Sequence, residues 1–360
     1  MGLAPYGKPA FADLILKELI DLRSDGSYRL NMNYFTYATG LTMTGKKFNS
    51  LFGQPVRKPD EALTAFHMDI ASSIQQVTER VMLLLTSSLY QQYGGENLCL
   101  AGGVALNCVA NGKILKQSGF KNIWIQPAAG DAGGALGAAL ATHYEYLKQE
   151  RIVTGETDSM QNALLGPGYT VDEIKEVLEV HKLEYKQLER DEFYAAIASE
   201  IAAGKVIGYF KGRMEYGPRA LGARSIIADP RNPDMQSVLN LKIKHRESFR
   251  PFAPAVLEEY AGEYFDLGVK SPYMLMAGKI KPEKQVFVSE KEIDFLSQIK
   301  QARSVVPAVT HLDYTARVQT VNGKDHPDLY NLIKAFYDLT GCPMVINTSF
   351  NQMDEPIVCK

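Results

Sequence analysis

The chain of 360 residues carries 46% hydrophobic and 22% charged side chains, which excludes wholesale disorder and leaves room for about two domains at roughly 100–200 residues each. A net charge of −2 argues against a surface built for a nucleic-acid backbone, and apolar runs such as Val81 to Leu85 fall far short of the ~20 residues of a membrane span. Four cysteines without a C-x-x-C pair, and an N-terminus without the basic-then-apolar order of a signal peptide, lead to the expectation of a cytoplasmic protein with reduced thiols and neither a membrane nor a nucleic-acid partner.

Residues 1–56 are rich in Tyr, Gly, Thr and Asn, with one short helical pattern from Phe11 to Leu22. A long helix is expected from about Glu61 to Gln92, where Phe66, Ile70, Ile74, Val77, Val81 and Leu84 share one face and Gly94-Gly95 stops it. Two similar units follow: strand 97–101, a Gly102-Gly103 break and helix 104–117, then strand 122–126, a turn and helix 131–146. Repetition of strand, tight glycine turn and helix predicts a parallel α/β core. Residues 150–170 read as a linker with a boundary near Gly166, giving domains over 1–160 and 161–360. The second half predicts α+β structure: helices over 171–180 and 191–203, a strand over 205–210, strand through 305–321, a helix over 327–340 and a last strand over 344–347.

Four motifs carry chemistry. In the first, residues 101–111, glycines between strand and helix admit a ligand to the backbone at a helix N-terminus, and Asn107 and Asn111 lie one turn apart. Nucleotide binding and plain helix–strand packing both fit it. In the second, residues 130–139, Asp131 opens a helix of very small residues, either as its cap or as a metal ligand. The third, residues 211–225 (KGRMEYGPRALGARS), sets four cations among glycines and a proline directly after a strand. With the further cations of 242–250 it points to a bound polyanion, because guanidinium forks match phosphate oxygens and glycine lets them approach. The fourth, residues 347–351 (NTSFN), ends a strand with hydroxyls and amides that suit a phosphate, a carbonyl or merely a polar turn. Arg317 stands alone in a β-rich run, where pairing or snorkelling is the ordinary fate of an arginine.

Taken together, MGLAPYGKP (1–9), AGGVALN (101–107), GDAGGALGAA (130–139), GRMEYGPRALGARS (212–225), FRPFAP (249–254) and NTSFN (347–351) resemble the carbamoyltransferase family, which includes nodulation-factor and antibiotic O-carbamoyltransferases. The resemblance runs over essentially the whole chain, in order. It implies the C-terminal part of an actin-like ATPase (ASKHA, ribonuclease H-like) domain followed by a YrdC-like domain. It further implies that the YrdC-like domain makes carbamoyl adenylate from carbamoyl phosphate and ATP, with Mg, and that the carbamoyl group then passes to a hydroxyl of a small-molecule acceptor, assisted by Fe(II). By that resemblance Arg219, Lys244, Arg317 and Ser349 are the catalytic set. Gly102, Gly103, Asn107, Asn111 and Asn347 hold the nucleotide, and Asp131 is an iron ligand rather than a cap.

The chain departs from the family pattern in lacking an H-x-x-x-H motif, so its iron ligand set is incomplete, and Met1 coincides with a motif that other members carry in mid-chain. The expectation is a chain lacking its N-terminal half and shortened at its C-terminus, with that half as a possible partner. Two alternatives stand beside carbamoyl transfer: a non-catalytic fragment or binding module, and a threonylcarbamoyl-type tRNA modification enzyme. The last is disfavoured by the third motif and by the net charge.

Overall fold

The computed structural model describes residues 1–153, 158–288 and 295–360; part of the expected linker, 154–157, lies outside the described residues. Two compact units emerge, one from 1–98 and 112–122, the other from 99–111 and 123–360. Gly166, the expected boundary, falls inside the second unit.

In the first unit a 3-10 turn (Ala4–Tyr6) leads to α1 (Ala12–Glu18). The helix expected through Leu22 stops there, because an Asp25-Gly26 turn, closed by Ser27 donating to Asp25 at 2.9 Å, folds β1 (Ile20–Leu22) antiparallel onto β2 (Tyr28–Leu30). After α2 (Lys46–Phe52), α3 (Ala65–Tyr93) forms the long helix. It starts later than Glu61, at Thr64, whose N–H and hydroxyl meet His67 Nδ1 at 3.1 and 2.9 Å and so satisfy the open first turn. Ile15, Leu19, Phe52, Val77 and Val81 form the buried core, and Phe11 meets Phe52 and Phe66 edge-on at 5.6 and 5.5 Å.

The chain passes between the units through β3 (Asn97–Leu100), α4 (Cys108–Gln117) and β4 (Asn122–Ile125); β3 and β4 make a two-stranded sheet. The helix expected over 104–117 is broken, with a 3-10 turn over Gly103–Leu106 and α4 beginning only after Asn107. Beyond these come α5 (Asp131–Ala141), which continues as a π-helical turn (Thr142–Tyr146), α6 (Val171–Val180) and α7 (Arg190–Ala202).

The remaining elements are β5 (Ile207–Phe210), β6 (Arg224–Ala228), α8 (Met235–Ser237) running into a π-helical stretch (Val238–Ile243), β7 (Ala253–Leu257), α9 (Glu258–Tyr264), β8 (Phe265–Asp266), β9 (Met276–Ile280), α10 (Phe295–Lys300), β10 (Thr315–Val321), α11 (Pro327–Thr340) and β11 (Met344–Ser349). Seven of the strands form one sheet in the order β5-β6-β11-β7-β10-β9-β8. Only β7 and β10 run parallel; the other neighbours are antiparallel. The main sheet is therefore mixed, in line with the α+β structure expected of the second half, while the glycine-turn repeats of 97–146 supply the separate β3–β4 sheet. All five residues of β6 and of β7 are buried, which erases the alternation that would have marked them as strands. Strand structure in the run 305–321 starts only at Thr315, after a 3-10 turn at Pro307–Val309 and a left-handed Tyr314 at φ 61°. On the sheet, α11 packs against β7, β11 and α7, and its Leu329, Leu332, Ile333 and Phe336 are completely buried.

Candidate functional site at an unpaired arginine cluster

The arginine-rich loop lies between β5 and β6, and its cations have different fates. Arg224 is fully buried at the start of β6. Its guanidinium stacks 3.5 Å over the Phe210 ring and donates to the carbonyls of Gly212 and Ala223, both at 3.1 Å. Arg213 donates to the carbonyls of Gly166 (2.8 Å) and Leu165 (2.6 Å), and Lys211 sits 5.5 Å over Phe193. These three cations staple the loop to the fold and are consumed in doing so.

Arg219 is different. Its Nε is buried and has no hydrogen-bond partner, and burial, together with the charge of Arg317, pushes its pKa down to about 10. Arg317, in register opposite Ala277 on β9, is likewise held below the usual arginine range by burial. Arg246 is pushed down to about 10 by burial first, then by Arg250, with Arg317 contributing; it is held by Asn240 Oδ1 at 2.8 Å. Among the described residues no carboxylate pairs with Arg219 or Arg317. All three guanidiniums stay charged at neutral pH; Glu247 partly offsets Arg246, but Arg317 repels both Arg219 and Arg246, a cost that a multivalent anion would relieve.

Lys244 is only 2% exposed, and burial, with help from Arg246, pushes it down to about 8. Its Nζ donates to Ser349 Oγ (3.2 Å) and to the carbonyl and side-chain oxygens of Asn351 (both 2.9 Å), as well as to the Ser349 carbonyl. The structure thus brings together two sequence-predicted site residues that lie 105 positions apart. Asn347 is buried in the middle of the sheet. Its Nδ2 donates to Gln319 Oε1 at 2.7 Å and to the Ala220 carbonyl at 3.3 Å, while its Oδ1 has no partner. Gln319, missed in the sequence, donates in turn to the Leu221 carbonyl at 2.7 Å. The signal was there: an amide inside the β-branched run 315–321 of a buried strand needs a specific partner.

The first motif is used differently from the expectation of two asparagines on one ligand-facing helix side. Asn107 is the residue before α4, and its Oδ1 accepts the Ala110 N–H at 3.2 Å, the geometry of an N-cap. Asn111 is fully buried, and its amide donates to the carbonyls of Ala105 (2.8 Å) and Leu275 (2.9 Å). Cys108, on the first turn of α4, lies within electrostatic reach of Arg317 and Arg219, which brings this turn to the arginine cluster. Gly102 takes φ 93°, and neither it nor Gly103 has an atom within 4 Å of the position of a Cβ.

Asp131 is the first residue of α5, exposed and without a capping hydrogen bond. The Tyr216 hydroxyl donates to the Ala132 carbonyl next to it, tying the second motif to the arginine loop. No group of three His, Cys, Asp or Glu side chains that could hold a metal ion occurs among the described residues. A lone exposed carboxylate does not fit an iron site, which needs several ligands.

The chain is similar to known proteins over nearly its whole length. Residues 1–140 match the family model for the carbamoyltransferase N-terminus and residues 198–360 that for the carbamoyltransferase C-terminus. An uncharacterized protein of Synechocystis is 53% identical over 363 residues, covering 100% of this chain and 59% of its own length. Nodulation protein NolO of Bradyrhizobium diazoefficiens is 36% identical over 99% of this chain and 60% of its own length. Nodulation protein NolNO of Sinorhizobium fredii is 37% identical over 99% of this chain and 48% of its own length. The chain therefore spans between about half and three-fifths of the length of these relatives. With both family models matched in chain order and the unpaired arginines inside the C-terminal match, the chain belongs to the carbamoyltransferase family.

Proposed function

We propose that the second unit binds carbamoyl phosphate and ATP at the Arg219–Arg246–Arg317 cluster and joins them as carbamoyl adenylate, for transfer of the carbamoyl group to a small-molecule hydroxyl. The observation that carries this reading is Arg219 and Arg317, two desolvated guanidiniums on which no carboxylate acts. Two polyanions brought into contact repel each other, and fixed cations in a low-dielectric site offset that repulsion without reorganising at the moment of reaction.

The atoms balance when carbamoyl phosphate, water and ATP give carbamoyl adenylate, phosphate and pyrophosphate. Water releases phosphate, the carbamate oxygen forms a bond to the α-phosphorus, and the bond to pyrophosphate breaks. Arg219 and Arg317 hold the phosphoryl oxygens bidentately. Lys244 keeps Ser349 and Asn351 together beside Arg246, and the serine hydroxyl, which donates to Asn351 Oδ1 at 2.5 Å, would turn to a substrate oxygen on binding. In this reading 1–160 is the C-terminal part of an actin-like domain and 161–360 a YrdC-like domain. ATP is used with Mg, and the open Gly102-Gly103 turn accepts the nucleotide.

The test is pyrophosphate release from ATP that depends on carbamoyl phosphate. We expect release by the native chain and at least a 10-fold loss in Arg219→Ala, since a hydrogen bond to a charged group contributes roughly 1.5–3 kcal/mol. No dependent release, or equal release from the variant, overturns the reading.

A further inference from the structure

We infer that Glu215 is the positioning residue that shapes the arginine loop and aims Arg219 at its anion. The inference rests on the anion site proposed above. Glu215 is a buried carboxylate inside a glycine-rich loop, where an uncompensated negative charge would be costly. Its hydrogen-bond partners are backbone: Oε1 accepts the N–H groups of Leu221 (2.6 Å) and Ala223 (2.8 Å), and Oε2 accepts that of Arg224 (3.2 Å), whose guanidinium also lies within electrostatic reach. These bonds close residues 215–221 into a ring, with Arg219 on the part of the ring that Glu215 does not touch.

The charge of Glu215 is taken up by loop amides and by Arg224, and among the charged groups that act on Arg219 no carboxylate appears. A carboxylate thus sits four residues from the key guanidinium without neutralising it. From the other side Gln319 and Asn347 hold the carbonyls of Leu221 and Ala220. The peptide groups on both sides of Leu221 are therefore fixed, which limits the backbone that carries Arg219. A loop held this rigidly presents a guanidinium whose orientation is set before the anion arrives, which lowers the ordering cost of binding.

The experiment measures inorganic pyrophosphate binding by calorimetry and backbone amide exchange by mass spectrometry on the full chain and on Glu215→Gln, Glu215→Asp, Arg219→Ala and the Glu215→Gln/Arg219→Ala double variant. Glu215→Gln keeps the shape of the side chain but loses its charge. The expected results are an increase of about tenfold in the dissociation constant for Glu215→Gln, less than a twofold further change when it is added to Arg219→Ala, and faster exchange confined to residues 215–224. Glu215→Asp, which keeps the charge on a shorter arm, restores part of the affinity. A merely structural role would lower the melting temperature and leave the coupling with Arg219 at zero. Native-like affinity in Glu215→Gln, alongside weakened binding in Arg219→Ala, overturns the inference and leaves the anion site standing. Absence of pyrophosphate binding by the native chain overturns both.

Discussion

The chain contains two glycine-rich turns of similar look, 101–111 and 212–225, each between a strand and the next element, and they are built in opposite ways. In the first, the backbone around Gly102 and Gly103 is open, and the asparagines are spent on an N-cap and on two buried carbonyls. In the second, the backbone is closed by Glu215, Arg224, Gln319 and Asn347, and one cation, Arg219, is left over. A glycine-rich turn with polar side chains is therefore two different objects, depending on which polar groups the fold has already consumed.

Substituting the glycines tests that contrast most harshly. At Gly222 the backbone has φ 108°, and a Cβ would lie 2.4 Å from Leu329 Cδ2 on the buried face of α11. Gly222→Ala should lose about 2–4 kcal/mol through left-handed strain and overpacking, read by urea denaturation. Gly103→Ala, with nothing within 4 Å, should stay within about 0.5 kcal/mol; a large loss there would show that the first turn is closed as well.

The asparagines of the first turn should separate next. Asn111→Ala leaves two carbonyls without donors and a small void, and should cost about 2–3 kcal/mol. Asn107→Ala removes the cap of α4, at about 1 kcal/mol. Equal losses in thermal unfolding would contradict the division of labour between them.

The smallest effect distinguishes the turns by pH. His326 is buried beside Gly222, and burial holds its pKa below the ordinary histidine value of 6.5, against the opposing pull of Glu215 and Asp328. The unfolded chain therefore binds this proton more readily than the folded one. Stability contributed by the neutral ring is complete above pH 6.5 and falls as the pH drops below it, by at most about 1.4 kcal/mol per unit. His326→Gln should flatten the slope of stability between pH 6.5 and 5, and an unchanged slope would remove His326 from the account.

How much of this was legible in the sequence depended on the range of the interaction. Helices α3, α7 and α11 were readable because periodicity and caps are local. The strands β6 and β7 were not, since burial on both faces removes alternation. All four cations of 211–224 looked alike, because the carbonyls that consume Arg213 lie 47 and 48 residues upstream and nothing near the arginine announces them. Arg219 and Arg317 were singled out by family resemblance alone; the structure supplies a physical reason, in that these two remain unpaired. Glu215 was quoted within its motif and given no task, although a carboxylate among three glycines and a proline is hard to solvate elsewhere in a closed loop.

Cys108 gives the arginine cluster a built-in clock. Burial raises the pKa of its thiol even though two guanidiniums pull the other way, so the sulfur is both hidden and protonated. Cys342 is buried and shifted upward in the same sense, while Cys99 and Cys359 are exposed. An alkylating reagent will therefore label two positions at once and two only as fast as the fold opens. The lag at Cys108, measured with and without pyrophosphate, times the breathing of the cluster from the inside, without adding any probe to the chain.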